Sequence, residues 1–224
     1  MFVSKKLLGK IPTITILNTA APGDYSVNLI PGKYEFTIVG GGGCGIQGYA
    51  IRTAEYSGAA QGGVGGTLIL VASVSDPITI TAHVGLRAAS SGSLAQFSNA
   101  GERYVAASGE GSYITDGTNN AFLCSGGTGA SFYATTNRAG VGTPGVAGNT
   151  STECNIPGMV LLRVATNSAD APIVGGTVLQ ELPNTYAPAI GDKLPGIVGH
   201  GGRGGTYRVK WTGGPGGITI KRLP

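Results

Sequence analysis

The run Gly43-Cys44-Gly45-Ile46-Gln47-Gly48 follows directly on a β-branched strand and has the GxGxxG spacing with which a tight turn brings backbone N–H groups to a pyrophosphate. That chemistry also requires a helix facing the phosphates and an acidic residue about 20 positions on. Gly58, Gly62, Gly63, Gly65 and Gly66 crowd the stretch where the helix would have to form, and no acidic residue stands at that distance. The spacing is therefore read as a by-product of glycine abundance, and no cofactor is expected. Nucleophilic catalysis would need a base. His83 lies in a strand and His200 in a glycine run, and neither is set beside a serine or cysteine by its spacing. The 11 acidic residues are scattered, without a glycosidase-type pair, an Asp-rich calcium loop or an HxxxH pair to suggest catalysis or a metal.

Cys44, Cys124 and Cys154 contain no CxxC pair, which sets aside metal-knuckle and thioredoxin patterns. Two states stay open for them: free buried thiols, the ordinary condition in a reducing cytoplasm, or one Cys124–Cys154 disulfide. Asn149-Thr150-Ser151 fits a glycosylation sequon, a three-residue match in a Ser/Thr-rich chain. Arg203 between glycines, with Arg208, Lys210 and Trp211 nearby, is the sole hint of nucleic acid. A net charge of +4 with no basic run beyond Lys5-Lys6 does not make the basic stripe of a nucleic-acid binder. The expectation is a protein that binds without chemistry.

Binding would rest on aromatic side chains. Tyr113, Phe122, Phe132 and Tyr133 fall in the Gly, Ser, Thr and Asn-rich stretch from Gly109 to Cys154, where polar loops can hold an aromatic ring against a sugar or a receptor pocket. Tyr49, Tyr56 and Tyr186 are further candidates, with loop anchoring as the rival role. Tyr104 and Phe97, in strand context, are expected in the core.

The elements that must position these residues are strands joined to glycine runs. Thr37-Ile38-Val39 runs into Gly40-Gly41-Gly42-Gly43; Gly62-Gly63-Val64-Gly65-Gly66 leads into Thr67-Leu68-Ile69-Leu70; Gly213-Gly214-Pro215-Gly216-Gly217 leads into Ile218-Thr219-Ile220; and the run Gly199 to Gly205 precedes Thr206 to Val209. Each glycine in regular structure gives up about 0.5–1 kcal/mol relative to alanine. Forty-one of them would overwhelm a net stability of about 5–15 kcal/mol unless they sit where a Cβ cannot. The G-G-x-G-G-x rhythm suits an extended threefold helix of the polyproline II type, which carries every third residue on one edge. Such segments can stack with glycine edges inward.

Alternation predicts strands at Ile11 to Leu17, Tyr25 to Leu29, Lys33 to Val39, Thr67 to Ser73, Ile78 to Val84, Tyr104 to Ala107, Met159 to Ala165, Gly176 to Leu182, Thr206 to Trp211 and Ile218 to Lys221. Tyr49 to Gln61 reads equally as a short helix or a loop. No amphipathic helix longer than three turns is expected, and no apolar stretch approaches the roughly 18 residues that span a bilayer. Lys10 and Pro12 interrupt the apolar region that a signal peptide would need after Lys5-Lys6, so export by the general secretory route is not expected.

Pro31-Gly32-Lys33-Tyr34-Glu35-Phe36-Thr37-Ile38-Val39 followed by Gly40 to Gly43 resembles the opening of the glycine-rich domain of phage tail-fibre and tail-tip receptor-binding proteins. Gly62 to Leu70 with Ile78-Thr79-Ile80-Thr81-Ala82-His83-Val84-Gly85, and the closing Gly213 to Ile220, are similar to later parts of that domain. The resemblance covers roughly Ile30 to Arg222, its middle third in composition alone; the glycine runs are shorter than the family's, and no large trimeric fibre shaft is expected ahead of them. It implies a virion protein, made in the host cytoplasm, that binds a host-cell surface receptor, a glycan or an outer-membrane protein. Other virion proteins and further copies of the chain would be its partners, without nucleic acid or membrane insertion. The alternatives are a purely architectural capsid or tail component and an envelope-glycan depolymerase. The expected fold is mainly β: N-terminal strands and an attachment segment over residues 1–30, then a single glycine-rich β domain over 31–224 with closely packed polyglycine II-like segments and long loops.

Overall fold

Tyr34, Phe36 and Ile38 alternate with Lys33, Glu35 and Thr37, and this period of two puts the three large side chains on one face, each fully buried. The same rule organises the rest of the computed structural model, which describes residues 12–89, 94–168, 173–174, 177–178 and 213–224. In chain order the strands are β1 (Ile14–Thr19), β2 (Gly23–Leu29), β3 (Gly32–Val39), β4 (Ile46–Ala50), β5 (Glu55–Ala60), β6 (Thr67–Val74), β7 (Ile78–Val84), β8 (Leu94–Phe97) and β9 (Arg103–Val105). There follow β10 (Ser112–Thr115), β11 (Asn120–Cys124), β12 (Ser131–Ala134), β13 (Gly140–Thr143), β14 (Thr150–Cys154), β15 (Met159–Ser168), β16 (Ile173–Val174), β17 (Thr177–Val178) and β18 (Gly217–Arg222). The protein is mainly β, and among the described residues no helix occurs.

Two antiparallel five-stranded sheets, β1-β18-β3-β6-β15 and β14-β11-β10-β7-β2, face each other across one core built on Phe36, Ile38, Leu68, Leu70, Ile80, Ile114, Phe122 and Ile220. Residues 14–29 are members of this large sandwich, since β1 pairs with β18 and β2 with β7. A smaller sandwich joins β5-β4-β8 to β13-β12-β9. Its core is alanine-rich, with Phe97, Phe132 and Ile46 as the large side chains. Within β5-β4-β8, β4 pairs antiparallel with β5 and parallel with β8.

Among the described residues, the passages between the sandwiches are segments rich in small residues. Segments 40–45, 61–66, 106–111, 125–130 and 144–149 each join a strand of one sandwich to a strand of the other, 85–89 leaves β7 on the way to β8, and 213–216 enters β18. A strand in a sheet has at most two hydrogen-bonded neighbours, whereas segment 40–45 bonds through its backbone to five: 61–66 (Gly40 N–H to Gly66 O, Gly43 N–H to Gly63 O), 106–111 (Gly41 to Glu110, Cys44 to Ala107), 213–216 (Gly42 to Gly214), 85–89 (Ala88 N–H to Gly42 O) and 125–130 (Gly127 to Gly41, Ala130 to Cys44). Surrounded in this way, Gly40, Gly41 and Gly43 have no room for a side chain, and only Cys44 turns one into the small sandwich's core. A Cβ on Gly40 would lie 2.8 Å from the Ser125 carbonyl carbon and nearer still to its oxygen, and one on Gly43 would run into the Thr128 carbonyl.

Several expectations change. Tyr49 to Gln61, open between helix and loop, forms the β4–β5 hairpin, with Tyr49 opposite Tyr56 and a register shift beside Gly48 at which Gly58 takes φ +56°. The stretch Gly109 to Cys154, read as loop-rich, contains β10 to β14, strands of four or five residues that are too short to announce themselves by alternation. Phe97 is the core residue expected of it. The three cysteines are free thiols, Cys44 and Cys124 buried and Cys154 half-buried, so the Cys124–Cys154 disulfide is not formed. The run Gly199 to Gly205, the strand Thr206 to Trp211 and all but Thr177 and Val178 of the strand 176–182 lie outside the described residues.

Candidate functional site

The small sandwich gathers four of the candidate aromatics, three of them on its outward faces. Tyr49 and Tyr56 are cross-strand partners on β4 and β5, their ring centroids 4.9 Å apart and their planes inclined at 52°. On the other sheet, Tyr133 of β12 faces outward at 42% exposure, and the Arg103 guanidinium of β9 sits 5.1 Å from its ring centroid. Arg103 and Tyr133 are register partners, which places the cation over the electron-rich face. Exposed Val105 and Val141 flank them.

Phe122 and Phe132 are corrected as binding candidates. Phe122 is 1% exposed: a bulge at this residue, whose φ is +54°, turns both Ala121 and Phe122 inward, and the ring packs 5.5 Å from that of Phe36. Phe132 is 2% exposed and lies 5.1 Å from Phe97. Adjacent residues of a strand take opposite faces, so Phe132 is inside because Tyr133 is outside. Its ring fills the space left by Gly48, Gly58 and Gly140, where an added Cβ at any of the three would meet it.

Tyr113 stands apart, on β10 of the large sandwich. It is half-buried and stacks on His83 of β7, with centroids 4.6 Å apart and planes 20° from parallel. His83 Nδ1 is 2.6 Å from Asp24 Oδ1 on β2, so three strands contribute one residue each to this row. Tyr186 and His200 lie outside the described residues. Among those described, no three His, Cys, Asp or Glu side chains are grouped to hold a metal ion.

Three turns project from the small sandwich on the side away from the glycine segments: residues 51–54, 98–102 and 135–139. The second is closed by Glu102, whose Oε1 accepts the N–H groups of Ser98 at 3.0 Å and Asn99 at 2.8 Å. The Tyr104 hydroxyl lies 2.5 Å from both Glu102 Oε2 and the Gln96 carbonyl, and its single proton serves one of them at a time. The Tyr104 hydroxyl first, then the Ser98 and Asn99 amides, hold the Glu102 carboxyl below the usual carboxylate range, while Glu102 raises the phenol of Tyr104. A carboxylate with a depressed folded pKa stabilises the fold above its unfolded pKa, and that contribution is lost as pH falls through the folded value. Hydrogen-exchange protection at Ser98 and Asn99 is therefore expected to drop on acidification through and below the ordinary carboxylate range, and Glu102→Gln should abolish this dependence. Protection that falls equally in the variant would refute the clamp.

Arg103 and the Gln96–Tyr104–Glu102 contacts escape a reading of residue types alone. The signal for Arg103 is its place next to inward-facing Tyr104, but its pairing with Tyr133 is a matter of register between strands distant in the chain. The chain matches no protein-family model, and no curated protein matches it.

Proposed function

We propose that this protein is a virion component of the phage tail-fibre or tail-tip kind, which binds a host-cell surface receptor through side chains carried on a rigid glycine-rich scaffold. The observation that carries this reading is segment 40–45 with its five hydrogen-bonded neighbours. Such bonding suits polyglycine II-like packing, in which threefold extended chains send N–H and C=O groups out in several directions and tolerate only glycine at the points of contact. A layer of this kind stiffens the connection between the two sandwiches and gives the small one a fixed orientation. Ile14 and Arg222 are register partners at the end of the large sandwich remote from the three small-sandwich turns. A cleft of about 300 Å³ opens there beside Ile14, Lys33 and Leu223. In this reading that end meets other virion proteins, and the opposite end meets a glycan or outer-membrane protein without turnover.

Antibody against the purified protein is expected to label one end of the tail of virions released by the cells that make it, and the purified protein should reduce their adsorption to host cells in a dose-dependent way. Labelled tails with undiminished adsorption would favour the purely architectural role. Unlabelled virions would overturn the proposal. Release of fragments from purified host-envelope glycan would turn the reading towards a depolymerase.

A further inference from the structure

The outward face of β5-β4-β8 differs from the outward face of the other sheet in the same sandwich. Register sets Tyr56 beside Tyr49 beside Gln96 in one row, and Ala59 beside Gln47 beside Leu94 in the next. The neighbours of the β4 and β8 members, Ile46, Gly48, Ala50, Ala95 and Phe97, are buried, which confirms that Gln47, Tyr49, Leu94 and Gln96 point the other way. None of the six side chains on this face is charged. On the other sheet of the same sandwich the outward face carries Arg103 over Tyr133.

We propose that this face binds a neutral saccharide chain, with the Tyr49 and Tyr56 rings against the C–H faces of the sugars and the Gln47 and Gln96 amides bonded to hydroxyls. Each feature has a counterpart in that ligand. A tyrosine joins an apolar ring to a polar tip, as a pyranose joins C–H faces to hydroxyls. An amide offers both donors and an acceptor, and a hydroxyl is both. Placing a carboxylate or phosphate here would strip it of water with no cation among the six side chains to receive it, so the composition of this face favours neutral over anionic sugars. The rows are spaced by two residues along each strand, about 7 Å, and the three strands span about 10 Å. That footprint suits a short stretch of sugar rings, and weak single contacts would be multiplied where several copies meet a repeating glycan. The assignment rests on the receptor-binding reading above and specifies its ligand class.

Affinity electrophoresis of the full chain in native gels holding dextran, mannan, galactan or, as the anionic comparison, alginate tests it. At least one neutral matrix is expected to retard the protein. Tyr49→Ala with Tyr56→Ala should weaken that retardation at least tenfold, and Gln47→Ala with Gln96→Ala, which leaves the aromatic pair in place, several-fold. Tyr133→Ala, on the other sheet, should change nothing. Retardation by no neutral matrix, by alginate alone, or to an equal degree in all variants overturns the proposal. The adsorption assay distinguishes the two readings: a protein that blocks adsorption yet binds no neutral saccharide removes this site and keeps receptor binding, whereas one that does neither removes both.

Discussion

Gly40→Ala is expected to lower the stability of the whole chain by at least about 3 kcal/mol, at or beyond the usual ceiling for overpacking. The new methyl carbon would stand 2.9 Å from the Cys124 carbonyl oxygen and 2.8 Å from the Ser125 carbonyl carbon, and closer to the Ser125 oxygen. These obstacles are main-chain atoms of the adjoining segment, which no rotamer change can move aside. Relief requires segment 125–130 to withdraw, and that strains the bonds from Gly127 to Gly41 and from Ala130 to Cys44, each worth about 1 kcal/mol net. Gly117→Ala is the comparison. Gly117 has φ +91° in the β10–β11 turn, with nothing within 4 Å of a Cβ. It should cost only about 1–2 kcal/mol, the ordinary penalty for an L-residue in a left-handed conformation. Urea midpoints for the two variants give the answer; equal midpoints would mean that the glycine segments yield more readily than their contacts imply.

The second large effect is expected from Phe132→Ala, at about 3–5 kcal/mol. A truncated aromatic leaves a cavity that neighbours ordinarily fill in part by swinging inward. Three of the neighbours here are Gly48, Gly58 and Gly140, which have no side chain to contribute. The loss should accordingly fall near the upper end of that range and be concentrated in the small sandwich, with hydrogen exchange quickening at Ala50 and Phe97 before the large core is affected. The complementary experiment is a double-mutant cycle. Gly48→Ala is expected to be severe alone and less so when Phe132 is already alanine, with a coupling of about 1–2 kcal/mol. Strict additivity would show that the ring and the glycine are not fitted to each other.

The two sandwiches were unequally legible. β3, β6, β7 and β18 carry β-branched and aromatic residues at period two over six to eight residues, and their bounds follow from that pattern within a residue or two. The small sandwich offers no such run. β9 has three residues, β13 reads Gly140-Val141-Gly142-Thr143, and the core they enclose is largely alanine, so hydrophobic periodicity has almost nothing to register. The candidate aromatics divided along the same line. That Tyr49 meets Tyr56 depends on a register set at the Gly58 bulge, and that Phe122 turns inward depends on a left-handed residue in mid-strand. Both are backbone conformations fixed by tertiary context, and composition does not encode them.

The passages between the sandwiches bear on how the molecule answers to force. A pull on the outer turns, resisted at Ile14 and Arg222, would be divided among all the crossings at once, because each is covalently continuous with a strand at either end. Yielding would require many inter-segment bonds to shear together, where a hairpin under tension opens them one after another. Under the receptor-binding role proposed above, a tether of this build would hold until the adhesive contact itself let go.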